Sequence, residues 1–142
     1  MTSSGVRVRH GALDDVPTVL RFWLDAAENT DRHDDAGKVV ALIERDPEAL
    51  LVAEIDGRVV GTLIAGWDGW RAHLYRLAVD PAHRRMGIGS LLIRAAEERF
   101  RKFGAFRADA MVLHDNTLAH HAWASAGYAM QTDCARWVRG LA

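Results

Sequence analysis

The chain has 142 residues, of which 49% are hydrophobic and 26% are charged. This length and balance predict a single domain, residues 1–142, that can bury a core of its own. Eighteen Lys and Arg residues against nineteen Asp and Glu residues give a formal net charge of −1. Such a balance argues against general binding to nucleic acid or to an anionic membrane surface, and neither partner is expected.

Cysteine use and hydropathy exclude other classes. The one cysteine, Cys134, cannot form an internal disulfide and is compatible with a reducing compartment. The first residues lack the apolar region of a secretory signal, and no run approaches the ~18 apolar residues of a membrane-spanning helix. We therefore predict a cytoplasmic protein. His114, His120 and His121 have no matching carboxylate or cysteine set, so no metal is expected.

The first half of the chain predicts a strand, two helices and a strand hairpin. Residues 6–9 alternate like a short strand, and a helix begins near Pro17 and runs to about Glu28. An acidic connection over residues 25–35 leads to a second amphipathic helix. Two apolar runs, 51–55 and 59–64, flank an Asp-Gly turn signal, and a third consecutive strand over 73–79 lies near the centre of the sheet.

The second half predicts two helices and three strands. The clearest helix covers 90–103 and ends at Gly104; a strand over 105–113 and a helix over 116–126 follow. One or two closing strands begin at Tyr128 and include Trp137 and Val138. The order is roughly βααβββαβαββ, an α/β (α+β) domain with a mixed, mostly antiparallel sheet flanked by helices.

The segment between the third consecutive strand and the clearest helix reads Arg-Arg-Met-Gly-Ile-Gly-Ser, residues 84–90. Glycine lets backbone amides approach a ligand closely, and the free N–H groups of a helix start favour an anion. A Walker A loop would need Gly-Lys-Ser/Thr, and a dinucleotide fingerprint would need glycine where Leu92 stands. The loop is therefore either an anion cradle of another kind or an ordinary glycine-rich helix entry with surface arginines.

Strand and loop together, Leu-Ala-Val-Asp-Pro-Ala-His-Arg-Arg-Met-Gly-Ile-Gly over residues 77–89, resemble motif A of the GNAT acetyltransferases, Arg/Gln-x-x-Gly-x-Gly/Ala. Asn116-x-x-Ala119 and Gly127-Tyr128 resemble the C-terminal Asn-x-x-Ala and Gly-Phe positions of that family. The resemblance covers most of the chain and is weakest in the first 45 residues. It implies a GNAT-like domain that transfers an acetyl group from acetyl-CoA to a primary amine.

The same resemblance implies where acetyl-CoA, the cosubstrate, would bind. Backbone amides of residues 85–90 hold its pyrophosphate, while residues 77–79 pair with the pantetheine arm like an additional strand. The fourth and fifth strands splay apart to admit that arm, and Asn116 either contacts pantetheine or only caps its helix. The implied cofactor-binding residues are Leu77, Ala78, Val79, Arg84, Arg85, Met86, Gly87, Ile88, Gly89, Ser90 and Asn116.

Acetyl transfer needs a base, because an amine of ordinary pKa, ~10.4, is protonated at neutral pH. His73 is the candidate: a histidine with an ordinary pKa of ~6.5 suits the role. By resemblance it stands where histone-type enzymes have a glutamate and arylalkylamine acetyltransferases a histidine. It could instead pack at the strand end or bind substrate. Tyr75 faces the same side in a regular strand, and a backbone N–H of a bulge around residues 77–79 would polarise the carbonyl.

Trp123 is a departure from the family pattern. It occupies the position of the usual tyrosine, which protonates the departing CoA thiolate, and an indole cannot act as that acid. Three explanations stay open: thiolate leaves unaided, Tyr75 substitutes as the acid, or activity is weakened. The last gives a second hypothesis, a CoA-binding regulatory or interaction domain with weak or lost catalysis.

The acceptor is a small-molecule amine or a protein or peptide amine. The carboxylates of residues 25–35 fall on the acceptor side by resemblance and favour a cationic amine, or they form a solvated loop. Trp67 and Trp70 line an aromatic acceptor pocket or cover the edge of the core. Cys134 is expected to pack, and a homodimer is one open arrangement.

Overall fold

The computed structural model describes residues 5–26 and 34–142. The strands are β1 (Val6–His10), β2 (Leu50–Ile55), β3 (Arg58–Trp67), β4 (Ala72–Val79) and β5 (Ala108–Ala110). The helices are α1 (Val16–Ala26), α2 (Ala36–Arg45), α3 (Ile88–Lys102) and α4 (Thr117–Ser125), with short 3-10 turns at Leu13–Asp15 and Pro81–His83. The predicted end of the first helix at Glu28 lies outside the described residues.

The strands form one five-stranded sheet in the order β1-β2-β3-β4-β5. The first four are antiparallel neighbours, and β5 lies parallel to β4. The Asp56-Gly57 turn between β2 and β3 has φ values of 50° and 78°, as a type I′ hairpin requires. The mixed, mostly antiparallel sheet flanked by helices is confirmed. Within the described ranges, no helix is both long and apolar enough to cross a membrane.

Helices cover both faces of the sheet. On one face, α3 packs against β3 and β4 through Leu63, Leu74 and Leu92. On the other, α1 and α2 enclose a second apolar cluster with β2. Gly61 on β3 brings α3 very close: a Cβ there would lie 2.8 Å from Ile88 Cγ2 and 3.0 Å from Leu92 Cδ1. The first residue of α3 is therefore buried directly against the middle of the sheet.

The far end of α3 is fixed by a buried arginine. Arg99 donates to the Ala65 carbonyl at 3.2 Å, pairs with Asp46, and lies 4.9 Å from the centroid of the Phe103 ring. The Phe103 ring in turn stacks on the ring of Trp67, with ring centroids 5.4 Å apart. Trp67 thus covers the edge of the core, whereas the side chain of Trp70 is exposed.

The prediction of closing strands at the end of the chain is wrong. Residues 129–142 form neither helix nor strand, so the closing strands at Trp137 and Val138 do not exist, and the order is βααβββαβα. Arg136 and Arg139 flank that apolar pair, which leaves a run of two residues, too short to bury a strand face. The Trp137 side chain is 93% exposed. The strand predicted over 105–113 is also shorter, only Ala108–Ala110.

Candidate active site

A gap opens beside the C-terminal half of β4. Pairing between β4 and β5 consists of Ala72 with Ala108, His73 with Asp109 and Leu74 with Ala110. Beyond Leu74, β4 continues to Val79 with β3 as its paired neighbour, while the chain after Ala110 leaves the strand conformation. One side of the last five residues of β4 is therefore left open, as the resemblance implied for a pantetheine arm.

A β-bulge lies on β4 beside this gap. Thr62 of β3 pairs with Ala78, whereas Ile64 pairs with Tyr75, so β4 has one more residue than β3 in this interval. The extra residue belongs to the Arg76-Leu77 pair, and Arg76 has a φ of 57°, in the left-handed region. The bulge begins just before the predicted range of 77–79.

Two hydrogen bonds, one of them fully buried, hold the bulge. The Thr62 hydroxyl donates to the Arg76 carbonyl at 3.0 Å, and Trp23 Nε1–H on α1 donates to Thr62 Oγ1 at 2.8 Å. Thr62 has no exposed surface. The Arg76 side chain pairs with Asp34, and its guanidinium lies 5.4 Å from the centroid of the Trp23 ring. The bulge is thus anchored through its main chain and its side chain to the α1 side of the sheet.

His73 lies on the paired half of β4. Its Nδ1 is 2.8 Å from Asp109 Oδ1, across the parallel register of β4 and β5. With Nδ1–H donating to the carboxylate, Nε2 keeps a lone pair that can accept a proton. Nε2 is 3.8 Å from Asp68 Oδ2, too far for a hydrogen bond. Asp109 was not foreseen from the sequence, where its only signal is a carboxylate within a short apolar strand.

Tyr75 lies next to His73 on the same face, with ring centroids 6.0 Å apart. Partial burial raises the pKa of the Tyr75 phenol above its usual value. The negative charges of Asp109 and Asp68 add to this rise in pKa, while Arg136 opposes it. The phenol therefore stays protonated at neutral pH and is available as a hydrogen-bond donor.

The loop after β4 leads into helix α3, whose first turn has no side-chain cap. Arg85 and Gly87 have φ values of 68° and 77°, and α3 begins directly after Gly87, which makes no side-chain capping bond. The first amides of a helix have no partners within the helix, and they favour an anion. A Cβ at Gly87 would meet no atom within 4 Å, so the space in front of this loop is open. Arg84, Arg85, Met86 and Ser90 are exposed, Gly89 is half-buried and Ile88 is buried.

The remaining predicted cofactor residues have these positions. Leu77 and Val79 pack on the α3 side of the sheet, and Ala78 packs on the α1 side. Asn116 caps α4, because its Oδ1 accepts a hydrogen bond from the Ala119 amide at 3.1 Å. Of the two roles predicted for Asn116, the structure therefore shows the helix cap, made by Oδ1. The contact with pantetheine stays a prediction.

Trp123 is a buried residue of the α3-side core. Its ring meets Tyr128 edge to face, with centroids 5.0 Å apart, and the Tyr128 hydroxyl donates to Glu97 at 2.8 Å. Burial and the Glu97 carboxylate raise the pKa of Tyr128 strongly. The structure brings together His73, Tyr75 and the bulge, whereas Trp123 packs in the α3-side core.

The described part of the acidic segment carries structural contacts. Asp34 pairs with Arg76 at the bulge, and Asp35 caps α2 by accepting from the Lys38 amide at 2.8 Å. Asp25 is exposed, while Glu28 and Asp31 lie outside the described residues. Across residues 5–26 and 34–142, no group of three or more His, Cys, Asp or Glu side chains is placed to hold a metal ion.

Comparison with known proteins agrees with this geometry. Residues 16–128 match the acetyltransferase (GNAT) family. An acetyltransferase of Sodalis glossinidius (strain morsitans) is 33% identical over 70% of this chain and 84% of its own. Two solved structures share the fold: Ard1 from Thermoplasma volcanium, with a TM-score of 0.79, 23% identity and coverage of 90% and 85% of the two chains, and yncA from Salmonella typhimurium.

The yncA structure was solved with its cofactor acetyl-CoA; its TM-score is 0.74 at 22% identity, over 91% of this chain and 82% of that one. The gap beside β4, its bulge and the uncapped start of α3 thus occur in a chain with acetyltransferase relatives. The chain belongs to the GNAT acetyltransferase family.

Proposed function

We propose that this protein transfers the acetyl group of acetyl-CoA to a primary amine by direct attack in a ternary complex. The observation that carries the proposal is the open side of β4 between Tyr75 and Val79, which leads directly to the uncapped start of α3. An extended arm can pair along the strand while its anionic end reaches the helix amides. Membership of the GNAT family supports this use of the gap.

Acetyl-CoA would be held mainly by main-chain groups. The pyrophosphate oxygens accept hydrogen bonds from the amides of residues 85–90, and exposed Arg84 or Arg85 pairs with the phosphates. The pantetheine arm lies along Leu77 to Val79, which places the thioester near the bulge. A cofactor bound in this way depends on backbone conformation more than on any one side chain.

The chemistry is then divided between side chains and one amide. His73 Nε2 first takes a proton from the bound ammonium group, and Asp109 stabilises the resulting imidazolium through Nδ1–H; the free amine nitrogen then attacks the thioester carbon. A backbone N–H of the bulge polarises the carbonyl oxygen. The C–N bond forms, the C–S bond breaks, and Tyr75 gives its phenol proton to the leaving thiolate; the proton that the adduct nitrogen loses restores the phenol. The products are the acetylated amine and CoA.

The surroundings of His73 favour a cationic acceptor. Asp68 and Asp109 both lie beside its ring, and Asp109 is on the strand that borders the gap. These two carboxylates attract an ammonium group to the place where its proton must be removed. Small polyamines and lysine-containing peptides are therefore the first acceptors to test.

Calorimetric titration of the purified protein with acetyl-CoA and with CoA tests the cradle. We expect micromolar binding that falls by at least about 100-fold in Gly87→Val, because a side chain there fills the open cradle and cannot adopt its φ of 77° easily. Gly104→Val is the matched control: its φ is 80°, and a Cβ there also meets no atom within 4 Å. The control should keep full affinity.

No binding of either ligand by the unmodified protein would overturn the proposal. Equal losses in the two glycine variants would show that backbone strain, and not the cradle, explains the effect.

The second candidate function is a CoA-binding regulatory or interaction domain with weak or lost catalysis. It is favoured by Trp123, which stands at the position of the family tyrosine and is buried against Tyr128. Tight acetyl-CoA binding without acetylation of any amine in a broad panel would support it. A large gain in turnover in Trp123→Tyr would show that the site binds its ligands but lacks an acid.

A further inference from the structure

In the two hydrogen bonds at the bulge, the identities of the donors and acceptors are fixed, and this fixes the orientation of a peptide group beside the gap. We propose that Thr62, held by Trp23, is a positioning residue that orients the Leu77 amide toward the thioester carbonyl. This inference rests on the proposed function and adds two residues outside the gap, Thr62 on β3 and Trp23 on α1. We refer to Trp23 Nε1, Thr62 Oγ1 and the Arg76 carbonyl as the Trp23–Thr62–Arg76 relay.

The chemistry of the groups fixes which way each proton points. An indole N–H can only donate, so Trp23 Nε1 must donate to Thr62 Oγ1 over their 2.8 Å separation. A carbonyl can only accept, so the Thr62 hydroxyl proton must go to the Arg76 oxygen, 3.0 Å away. Thr62 is fully buried, so bulk solvent does not compete for its hydroxyl. The relay therefore holds the Arg76 carbonyl turned toward β3.

The peptide plane transmits this orientation to the other side of the strand. Every peptide bond in the described parts of the chain is trans, so the Leu77 N–H is antiparallel to the Arg76 carbonyl of the same plane. With the carbonyl turned toward Thr62 on β3, the N–H points away from β3. That is the side of β4 from which β5 has already diverged.

The conformation at Arg76 shows why the relay is needed. Its φ of 57° is unfavourable for a residue with a side chain and persists only where surrounding contacts enforce it. Trp23 contributes twice, since its N–H bonds Thr62 and its ring lies 5.4 Å from the Arg76 guanidinium. Without the hydroxyl, the peptide plane between Arg76 and Leu77 can rotate, and the Leu77 amide loses its fixed direction.

Thr62→Val, Thr62→Ser and Trp23→Phe test the relay. Valine keeps the shape of threonine without the hydroxyl, and serine keeps the hydroxyl. With [1-¹³C]acetyl-CoA bound, isotope-edited infrared spectroscopy measures how strongly the protein polarises the carbonyl. We expect Thr62→Val to lose most of the downward shift in carbonyl frequency and to lower kcat by at least about 10-fold. Thr62→Ser should retain both, and Trp23→Phe should fall between them.

Affinity and folding are measured on the same variants. The Kd for CoA should stay within about 2-fold in all three, because the pyrophosphate cradle is separate from the relay. Ile43→Ala, which removes a buried side chain of α2, controls for lost stability and should leave the carbonyl frequency unchanged.

A normal carbonyl frequency and kcat in a folded Thr62→Val protein would overturn the inference and leave the proposed function standing. Failure of the unmodified protein to bind acetyl-CoA would instead overturn the proposed function. A frequency change in Ile43→Ala equal to that in Thr62→Val would also contradict the relay, since it would show a general effect of lost packing.

Discussion

The two halves of β4 differ in what they offer to a reaction. Residues 72–74 are paired on both sides, to β3 and to β5, and the reactive group on this half is the side chain of His73. Tyr75, the second reactive side chain, lies where the two halves meet. Residues 76–79 contain the bulge, and only Ala78 and Val79 of this range are paired to β3; the range offers backbone groups to the gap. One strand can therefore supply both a proton acceptor and a main-chain binding edge because its neighbour β5 is short.

The bulge explains why the neighbour diverges. An extra residue bends the strand that contains it and increases its local twist, so a parallel partner cannot stay in register beyond that point. The last β4–β5 pair, Leu74 with Ala110, comes two residues before Arg76. The bulge thus both opens the gap and turns an amide toward it.

The largest effect is expected from removing the base on the paired half. His73→Ala should lower kcat by about 10²- to 10⁴-fold, the usual contribution of a general base, with the Kd for CoA unchanged. The pH–rate profile should also lose its acidic limb. Asp109→Asn keeps the histidine but weakens its orientation and should cost about 10-fold. An unchanged acidic limb in His73→Ala would show that another group is the base.

Hydrogen exchange compares the two halves directly. In the free protein the Leu74 amide, between two paired strands, should exchange slowly, and the Leu77 amide, on the open side, should exchange fast. Saturating acetyl-CoA, whose carbonyl would accept a hydrogen bond from the Leu77 N–H, should slow Leu77 by at least about 10-fold and leave Leu74 nearly unchanged, as NMR can measure. Protection of Leu77 before any ligand is added would contradict the orientation of its amide.

The smallest effect is expected at Tyr75, where the halves meet. Tyr75→Phe removes the phenol and should lower kcat by about 3- to 10-fold, because a thiolate is a fair leaving group without an acid. Burial raises the pKa of the phenol, so the protonated acid persists to higher pH than for a free tyrosine. The unmodified enzyme should therefore lose kcat through this group only at a higher pH than an ordinary tyrosine would. Unchanged turnover in Tyr75→Phe would leave water as the acid.

Short sequence patterns correctly predicted those turns and helix starts that are determined by neighbouring residues. The Asp-Gly hairpin and the glycine-rich helix entry after β4 follow from neighbouring residues alone, whereas the predicted role of His73 came from the resemblance to the GNAT acetyltransferases. The closing strands were overpredicted, because Trp137 and Val138 have strand-forming side chains but too few apolar neighbours.

Other parts of the site depend on register between distant strands. Counting by twos along β4 fails at the bulge: Tyr75 and Ala78 face the α1 side although they are three residues apart. Asp109 meets His73 only through the pairing of strands 36 residues apart. Thr62 reads in the sequence as one more β-branched residue of an apolar run, and only its contacts reveal a hydroxyl with two partners.

The glycine at position 61 has a consequence for the spacing of the whole site. Its missing side chain sets how closely the first residue of α3 approaches the sheet, and position 61 pairs with Val79, the last residue of β4. Gly61 therefore influences the distance between the first amides of α3 and the bulge on β4. That distance limits the length of ligand that can contact both, although Gly61 itself lies on β3 and contacts neither part of the ligand. Graded substitutions at this position would measure how much that length can change before the two ends of the ligand no longer fit together.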